Sequence, residues 1–361
     1  VKLTAKVKLL TTPFQTDALH ETLRRANTCC DWVSSESWKV QTFRTFDLHR
    51  LCYYAAKSKF GLTAQVVVRC IAKVSDAYKL DHRAKRSFSP LGAVSYDDRI
   101  LKWYVEKGLV NIWTTSGRLK IPFVGGPRQL ALLQNRQGES DLLLHDGVFY
   151  LAATCNADTP DPVDVADFLG CDFGVVNIVT DSDGNVHAGA RLNGVRCRHR
   201  RLRAKLQRKR TRSAKRHLKK LSGKESRFAR DVNHCISKQI VSLAERTGRG
   251  IACENLVGIR NRIRASRKQR GVLHSWAFAQ LRAFLEYKTA LAGVLLATVD
   301  PRNTSRECSR CGHAEKANRQ TQARFQCREC GYTALADLNA ALVIRSRAVV
   351  NRPIVADCVA A

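Results

Sequence analysis

Apolar and polar positions alternate at the start of the chain. Residues 2–10 (KLTAKVKLL) carry the period-two pattern of a strand with one buried face. From about Thr16 to Leu80 the period lengthens. DALHETLRRANTCCDWVSSESW and LTAQVVVRCIAKVSDAYKL set apolar residues at i, i+3 and i+4, which predicts amphipathic helices. From about Ser95 to Asp158 short β-rich runs return: LVNIWTT, GRLKIPF, SDLLLHDG and VFYLAATC, separated by turns that contain glycine. A strand, a helical excursion and then more strands predict a β-barrel interrupted by a helical insertion.

The Pro/Asp-rich ADTPDPVD (157–164) reads as a linker. Beyond it, DFLGCDFGVVNIVTDSDGNV holds two β-rich runs around Gly174, and a long basic stretch begins at Arg196. VNHCISKQIVSLAERTG has helical spacing, RGIACENL is a buried strand ending in an acid, SWAFAQLRAFLEYKTALAG is an amphipathic helix, and VLLATVD is another strand. Alternating strands and helices predict an α/β domain. No internal repeat is visible.

Charge narrows the class of partner. The 361 residues hold 62 Lys+Arg against 31 Asp+Glu, a net charge of +31. A body with that charge repels itself unless a polyanion neutralises it, and nucleic acid is the usual one. The excess is uneven: residues 1–170 carry a net +6 and the remainder +25. A membrane surface is the rival polyanion. No apolar run approaches the roughly 18–20 residues of a spanning helix, and VKLTAKVKLLTTPF lacks a signal-peptide core. The chain is therefore expected in the cytoplasm, with no membrane partner. Methionine is absent, for which composition offers no reason.

Four of the 14 cysteines stand at metal-ligand spacing. Cys308, Cys311, Cys327 and Cys330 form CxxC-x15-CxxC, each knuckle followed by a glycine, Gly312 or Gly331. Four thiolates make the tetrahedral set that Zn²⁺ prefers, and glycine lets the backbone turn tightly round an ion. The competing reading is two redox-active CxxC pairs. Four protein ligands leave no place for water, so zinc here is structural. The other cysteines, among them Cys70, Cys171 and Cys253, are scattered in apolar surroundings and read as reduced thiols.

Three carboxylates stand out by context. Asp172 lies in LGCDFG, Glu254 ends IACENL, and Asp337 lies in ALADLNAALVI, so any meeting between them is tertiary. An acid in an apolar strand is costly to bury unless it is paired, hydrogen-bonded or bound to metal. Converged, the three would offer hard oxygen ligands for Mg²⁺ or Mn²⁺. Taken singly, each reads more readily as a capping or salt-bridged residue.

The basic stretch at 196–230 holds 17 Lys/Arg and one acid, Glu225. Leu202, Leu206, Leu218, Leu221 and Phe228 recur at spacings a helix could gather on one side. It reads as an arginine-rich helical segment that grips phosphates through Arg198, Arg201, Arg203, Lys205, Arg208, Lys209 and Arg212. IRNRIRASRKQR (259–270) adds Arg260, Arg262 and Arg264 to the same role. A merely solvated basic surface is the plainer alternative.

LGCDFGVVNIVT, ACENL and NTSRECSRCGH…FQCRECGYTALADLNAA together resemble the three RuvC motifs and zinc ribbon of TnpB, the OrfB protein of bacterial insertion sequences. SWAFAQLRAFLEYK and GRLKIPF…ESDLLLHDGVFYL resemble further segments of that family. The resemblance is strongest from 165 to 345, and residues 12–94 match only in general character. It implies an RNase H-like (RuvC) nuclease at 165–300 and 336–361, a zinc ribbon at 301–335, and a wedge-type β-barrel at 1–11 and 95–160. It also implies a helical recognition insertion at 12–94, and Asp172, Glu254 and Asp337 as a catalytic metal-binding triad. The partners implied are a transposon-derived guide RNA and target DNA, as for the related type V CRISPR effectors. One departure is Val343, where many members have Asn; Asn339 is kept. A non-cleaving, RNA-guided regulator on the same fold is the alternative, and the presence of all three acids speaks against it. A strand-transfer transposase is disfavoured by the lack of a HUH motif with a catalytic Tyr.

Overall fold

Alternation in the first residues becomes β1 (Lys2–Leu9), with Ala5, Val7 and Leu9 buried and the lysines between them exposed. A computed structural model describes residues 1–256, 278–321 and 323–351. They divide into two units, Val1–Ala157 and Asp158–Ala361. In the first unit β1 is joined by β2 (Val94–Tyr96), β3 (Leu101–Tyr104), β4 (Leu109–Thr114), β5 (Gly117–Val124), β6 (Arg136–His145) and β7 (Val148–Asn156). The seven form one sheet in the order β2-β6-β7-β1-β5-β4-β3, antiparallel throughout. The β6–β7 hairpin turns at Asp146-Gly147, both with positive φ, as a tight two-residue turn requires.

Three helices lie between β1 and β2: α1 (Pro13–Val40), α2 (Thr45–Phe60) and α3 (Ala64–Leu80). α1 starts earlier than apolar spacing indicates, because Thr12 and Gln15 form a capping box and Pro13 occupies the first turn. The helices and the sheet share one hydrophobic core, in which Leu19, Leu23 and Ile71 pack with Val7, Ile112 and Leu151. The stretch read as strands alone also contains α4 (Pro127–Gln134), whose eight residues are too few to display a helical period.

In the second unit, β8 (Phe168–Asp172), β9 (Asn177–Asp181), β10 (Val186–Ala188), β11 (Gly250–Glu254) and β12 (Leu296–Val299) form a mixed sheet of order β10-β9-β8-β11-β12. β8, β11 and β12 run parallel, while β9 is antiparallel to both of its neighbours. Helices cover both faces. α7 (Lys224–Arg246) and α8 (Phe278–Ala292) bring Ile236, Ile240, Leu281 and Leu285 against Leu169, Cys171, Ile251 and Cys253. α9 (Ala336–Val350) brings Ile344 and Ala348 against Phe168 and Ala252. Successive side chains of a strand point to opposite faces, so both inner strands read as continuous apolar runs.

The basic stretch is not one helix. It breaks into α5 (Ala190–Lys209), α6 (Arg212–Leu221) and the first turns of α7. Arg210 and Gly223 adopt left-handed backbone at the breaks, and Thr211 caps α6 through the Ala214 amide. Leu202, Leu206, Leu218, Leu221 and Phe228 are all buried or half-buried, as their spacing predicts. Arg260, Arg262 and Arg264 lie outside the described residues. β13 (Arg324–Gln326) and β14 (Thr333–Leu335) complete the unit as a separate small hairpin. Among the described residues no helix is long and apolar enough to cross a membrane.

Candidate functional site

Parallel pairing brings two of the three singled-out acids side by side. Cys171 and Cys253 are direct partners on β8 and β11, and each is followed by the acid that ends its strand, Asp172 or Glu254. Both cysteines face α7 and α8, so both acids turn to the α9 side of the sheet. Ligand-binding groups of open α/β sheets gather at such carboxyl ends. Asp337 comes from the first turn of α9, where the helix dipole favours an anion. Gly170 makes the meeting possible: a Cβ there would lie 2.1 Å from the Ala341 carbonyl oxygen, so only glycine lets α9 rest directly on β8.

The three carboxylates share one electrostatic environment. Burial, then repulsion from Glu254 and Asp337, pushes Asp172 up to about 8. Burial likewise raises Glu254, against the hydrogen bond from Thr304 and the charges of Arg347 and Arg319. Without a cation, mutual repulsion keeps such groups apart or protonated.

Several neighbours of these acids were not legible as site residues. The Asn177 side-chain amide donates to Asp337 Oδ2 at 2.9 Å. The Thr304 hydroxyl donates to Glu254 Oε1. Arg319 places a guanidinium nitrogen 3.5 Å from Asp337 Oδ1. Asn177 lies in the same run as Asp172, and a Cβ on Gly174 would meet its carbonyl oxygen at 2.5 Å, so glycine permits the turn that returns Asn177 over the site. Thr304 and Arg319 belong to the segment around the cysteines, where no apolar period flags them. Asn339, two residues past Asp337 and fully buried, donates to the Glu307 carbonyl and accepts from the Ser309 amide, tying α9 to the first cysteine knuckle.

Cys308, Cys311, Cys327 and Cys330 converge as their spacing predicts. They are the one group of three or more His, Cys, Asp or Glu among the described residues whose ligand atoms all lie within 4.8 Å of one another. The Cys308–Cys330 and Cys311–Cys327 sulfurs are 3.7 and 3.6 Å apart. A tetrahedron of thiolates with metal–sulfur bonds of about 2.3 Å needs roughly 3.8 Å between sulfurs. The two knuckles are near copies. Cys308 N donates to His313 O and Gly312 N to Cys308 O; Cys327 N donates to Tyr332 O and Gly331 N to Cys327 O. Gly312 and Gly331 have φ of 78° and 70°, a backbone that glycine adopts without strain. Although burial opposes it, amide hydrogen bonds from Cys330 and Glu329 bring Cys327 down to about 7. Asn318, fully buried, clips the knuckles together by bonding Arg306 O, His313 O and Arg328 N.

Of the basic residues singled out, Arg198, Arg201, Lys205, Arg208, Lys209 and Arg212 are exposed along α5 and the start of α6. Arg203 is exposed but pairs with Glu225 at 3.1 Å. Arg196, Arg203 and Glu225 line a cavity of 530 Å³ between α5, α6 and α7. The arrangement presents a cationic helical surface that phosphates could neutralise.

Two family sequence models match the chain: a "Probable transposase" model over residues 153–256 and a "Cas12f1-like, TNB domain" model over residues 278–344. The CRISPR-associated endodeoxyribonuclease Cas12f1 of Sulfoacidibacillus thermotolerans is 39% identical over 34% of this chain and 28% of its own length. The TnpB-like protein MJ0751 of Methanocaldococcus jannaschii is 32% identical over 42% of this chain and 57% of its own. The putative RNA-guided DNA endonuclease InsQ of Escherichia coli K12 is 28% identical over 54% of this chain and 52% of its own. The chain thus spans from 28% to 57% of the length of these relatives. A solved structure of the mini-RNA-guided endonuclease CRISPR-Cas phi3 has a TM-score of 0.55 at 9% identity, covering 98% of this chain and 93% of that one, a likeness of fold. Its two matching sequence models and its named relatives make this chain similar to the transposon-encoded TnpB (OrfB) proteins and to the Cas12f1 endodeoxyribonucleases.

Proposed function

We propose that the protein is an RNA-guided, divalent-metal-dependent DNA endonuclease whose acids Asp172, Glu254 and Asp337 form a RuvC-type site. One observation carries the reading: Asp172 and Glu254 end neighbouring parallel strands, α9 carries Asp337 onto β8, and the charges of Glu254 and Asp337 add to burial in pushing Asp172 up to about 8. Hard oxygen donors from a buried Glu254 and half-buried Asp172 and Asp337 fit Mg²⁺ or Mn²⁺, which would offset the repulsion felt by Asp172. Asp172, Glu254 and Asp337 would hold the ion, and when bound it would supply water activation and charge for the departing 3′ oxygen. The chain's own part is to aim carboxylates from β8, β11 and α9 at one point. The mixed sheet with helices on both faces supports an RNase H-like assignment for 165–300 and 336–361.

Cys308, Cys311, Cys327 and Cys330 fit a structural Zn²⁺ in the ribbon at 301–335: two sulfur pairs stand 3.6 and 3.7 Å apart, all four lie within 4.8 Å of one another, and a four-thiolate shell leaves no place for a water ligand. The sheet of the first unit is assigned as the wedge-type barrel (1–11 and 95–160), and the helices at 12–94 as its recognition insertion. The names of the relatives, RNA-guided DNA endonuclease and endodeoxyribonuclease, support guide RNA and DNA as partners. Exposed Arg and Lys of α5 and α6 would hold phosphates while base pairing with a transposon-derived guide selects the sequence. Plasmid cleavage by the protein with its co-purified RNA tests this. Cutting that requires Mg²⁺ is expected. Stable, guide-dependent DNA binding without nicking would overturn it in favour of a non-cleaving regulator.

A further inference from the structure

We propose that Asn177 and Thr304 are positioning residues that set which oxygen of Asp337 and of Glu254 faces the divalent cation. The inference rests on the reading of these acids as a metal site. Each acid is held at one oxygen by a neutral donor: Asp337 Oδ2 by the Asn177 amide at 2.9 Å, and Glu254 Oε1 by the Thr304 hydroxyl. A neutral donor orients a carboxylate without cancelling its charge, whereas a paired cation would compete with the metal. Arg319, the charged neighbour of Asp337, pairs with Oδ1 across 3.5 Å, a longer contact than the 2.9 Å bond from Asn177 to Oδ2. The shorter grip thus falls on Oδ2 and Oε1, and a cation reaching Oδ1 would have to displace only the longer Arg319 contact.

Both donors are held by backbone, so their aim does not depend on the acids. The turn at Gly174, whose amide bonds Ile178 O, returns Asn177 over the end of β8. Thr304 is 2% exposed and follows Asn303, whose left-handed φ of 62° and carbonyl bonds to the Arg306 and Glu307 amides form a tight turn. The other acceptor in reach of the Thr304 hydroxyl is Pro301 O at 3.0 Å, within its own turn. The two donors are far apart in the unit's sequence, one in the run that carries Asp172 and the other just before the first cysteine knuckle. Groups that orient metal-bound carboxylates typically change metal affinity by about 10–100-fold when removed.

The test is Mn²⁺ binding to the full zinc-loaded chain without nucleic acid, read by electron paramagnetic resonance, beside the Mg²⁺ dependence of cleavage. Thr304→Val keeps the shape and removes the hydroxyl; Thr304→Ser restores it; Asn177→Leu removes the amide. Thr304→Val and Asn177→Leu should each weaken Mn²⁺ binding by about tenfold and raise the half-saturating Mg²⁺ by a similar factor. The rate at saturating Mg²⁺ should stay within about threefold, and Thr304→Ser should match the unsubstituted protein. Melting temperature and zinc content verify that each variant is folded. Unchanged Mn²⁺ affinity in folded Thr304→Val and Asn177→Leu, or Thr304→Ser as weak as Thr304→Val, overturns the positioning role while leaving the acids as a metal site. An unsubstituted protein that binds Mn²⁺ no better than Asp172→Ala overturns the metal site itself.

Discussion

The thiolates of Cys308, Cys311, Cys327 and Cys330 come from two tight turns, and the turns alone bring each pair together. The carboxylates of Asp172, Glu254 and Asp337 are 82 and 83 residues apart in sequence and meet only through a parallel strand pair and a helix packed on it. The thiolates already stand 3.6–3.7 Å from their opposite partners, whereas the acids are not drawn into such a cluster. The difference teaches where each geometry is stored. In the ribbon it is stored in local backbone, in the amides of the knuckles and in Asn318. Among the acids it is stored in the whole sheet, and the charges of Glu254 and Asp337 work against ionisation of Asp172, a cost that the proposed cation would offset.

Breaking the acid pocket should therefore abolish chemistry and spare the fold. Asp172→Ala, Glu254→Ala or Asp337→Ala is expected to lower plasmid cleavage by about a thousandfold or more, with the amount of co-purified RNA unchanged. Cutting at the original rate by any one of them removes that residue from the site. Breaking the ribbon should do the reverse. Cys308→Ser is expected to lose bound zinc and several kcal/mol of stability, since structural zinc contributes folding free energy directly. Normal zinc content and an unchanged melting temperature would contradict the closed four-thiolate site.

Smaller effects sharpen the contrast. Gly170→Ala drives a methyl group toward the Ala341 carbonyl, 2.1 Å away, and should destabilise by about 1–3 kcal/mol on chemical denaturation. It should also weaken Mn²⁺ binding, because it lifts α9 and Asp337 from β8; unchanged stability would show that α9 does not rest there. The smallest effect is that of pH. Asp172 moves from its ordinary 3.8 to about 8 in the fold, so between those values the folded chain keeps a proton that the unfolded chain releases. Its stabilising contribution is complete below about pH 4 and is lost as pH rises through about 8. In buffer free of Mg²⁺ and Mn²⁺, the melting temperature should fall from pH 6 to pH 8, by roughly 2–4 °C per kcal/mol. Asp172→Asn should flatten the slope, and added Mn²⁺ should oppose it. A melting temperature that rises with pH over that range would contradict a protonated Asp172.

What could be read in the sequence follows the same divide. CxxC spacing encodes a local geometry, so all four thiolates and both glycine turns were legible. Strand-ending acids were legible as candidates because an acid in IACENL or LGCDFG contradicts its surroundings. Their partners were not. Thr304 and Arg319 have no pattern that ties them to residues far away in sequence, and Gly170 reads as one more small residue until α9 is seen to rest on it. Helical spacing placed the leucines of the basic stretch correctly, but the breaks at Arg210 and Gly223 depend on two left-handed residues, one of them an arginine. α4 escaped because eight residues complete little more than two turns.

One further consequence belongs to β1, which sits between β5 and β7 with Lys2 opposite Asn156 and Leu9 opposite Phe123. Both partners are made long after it. During synthesis β1 leaves the ribosome with neither edge satisfied, and α1 to α3 are complete before either neighbour exists. Helices close local contacts early, and distant strand pairing comes last. The sheet of the first unit can therefore close only after residue 156 has emerged, last among that unit's elements.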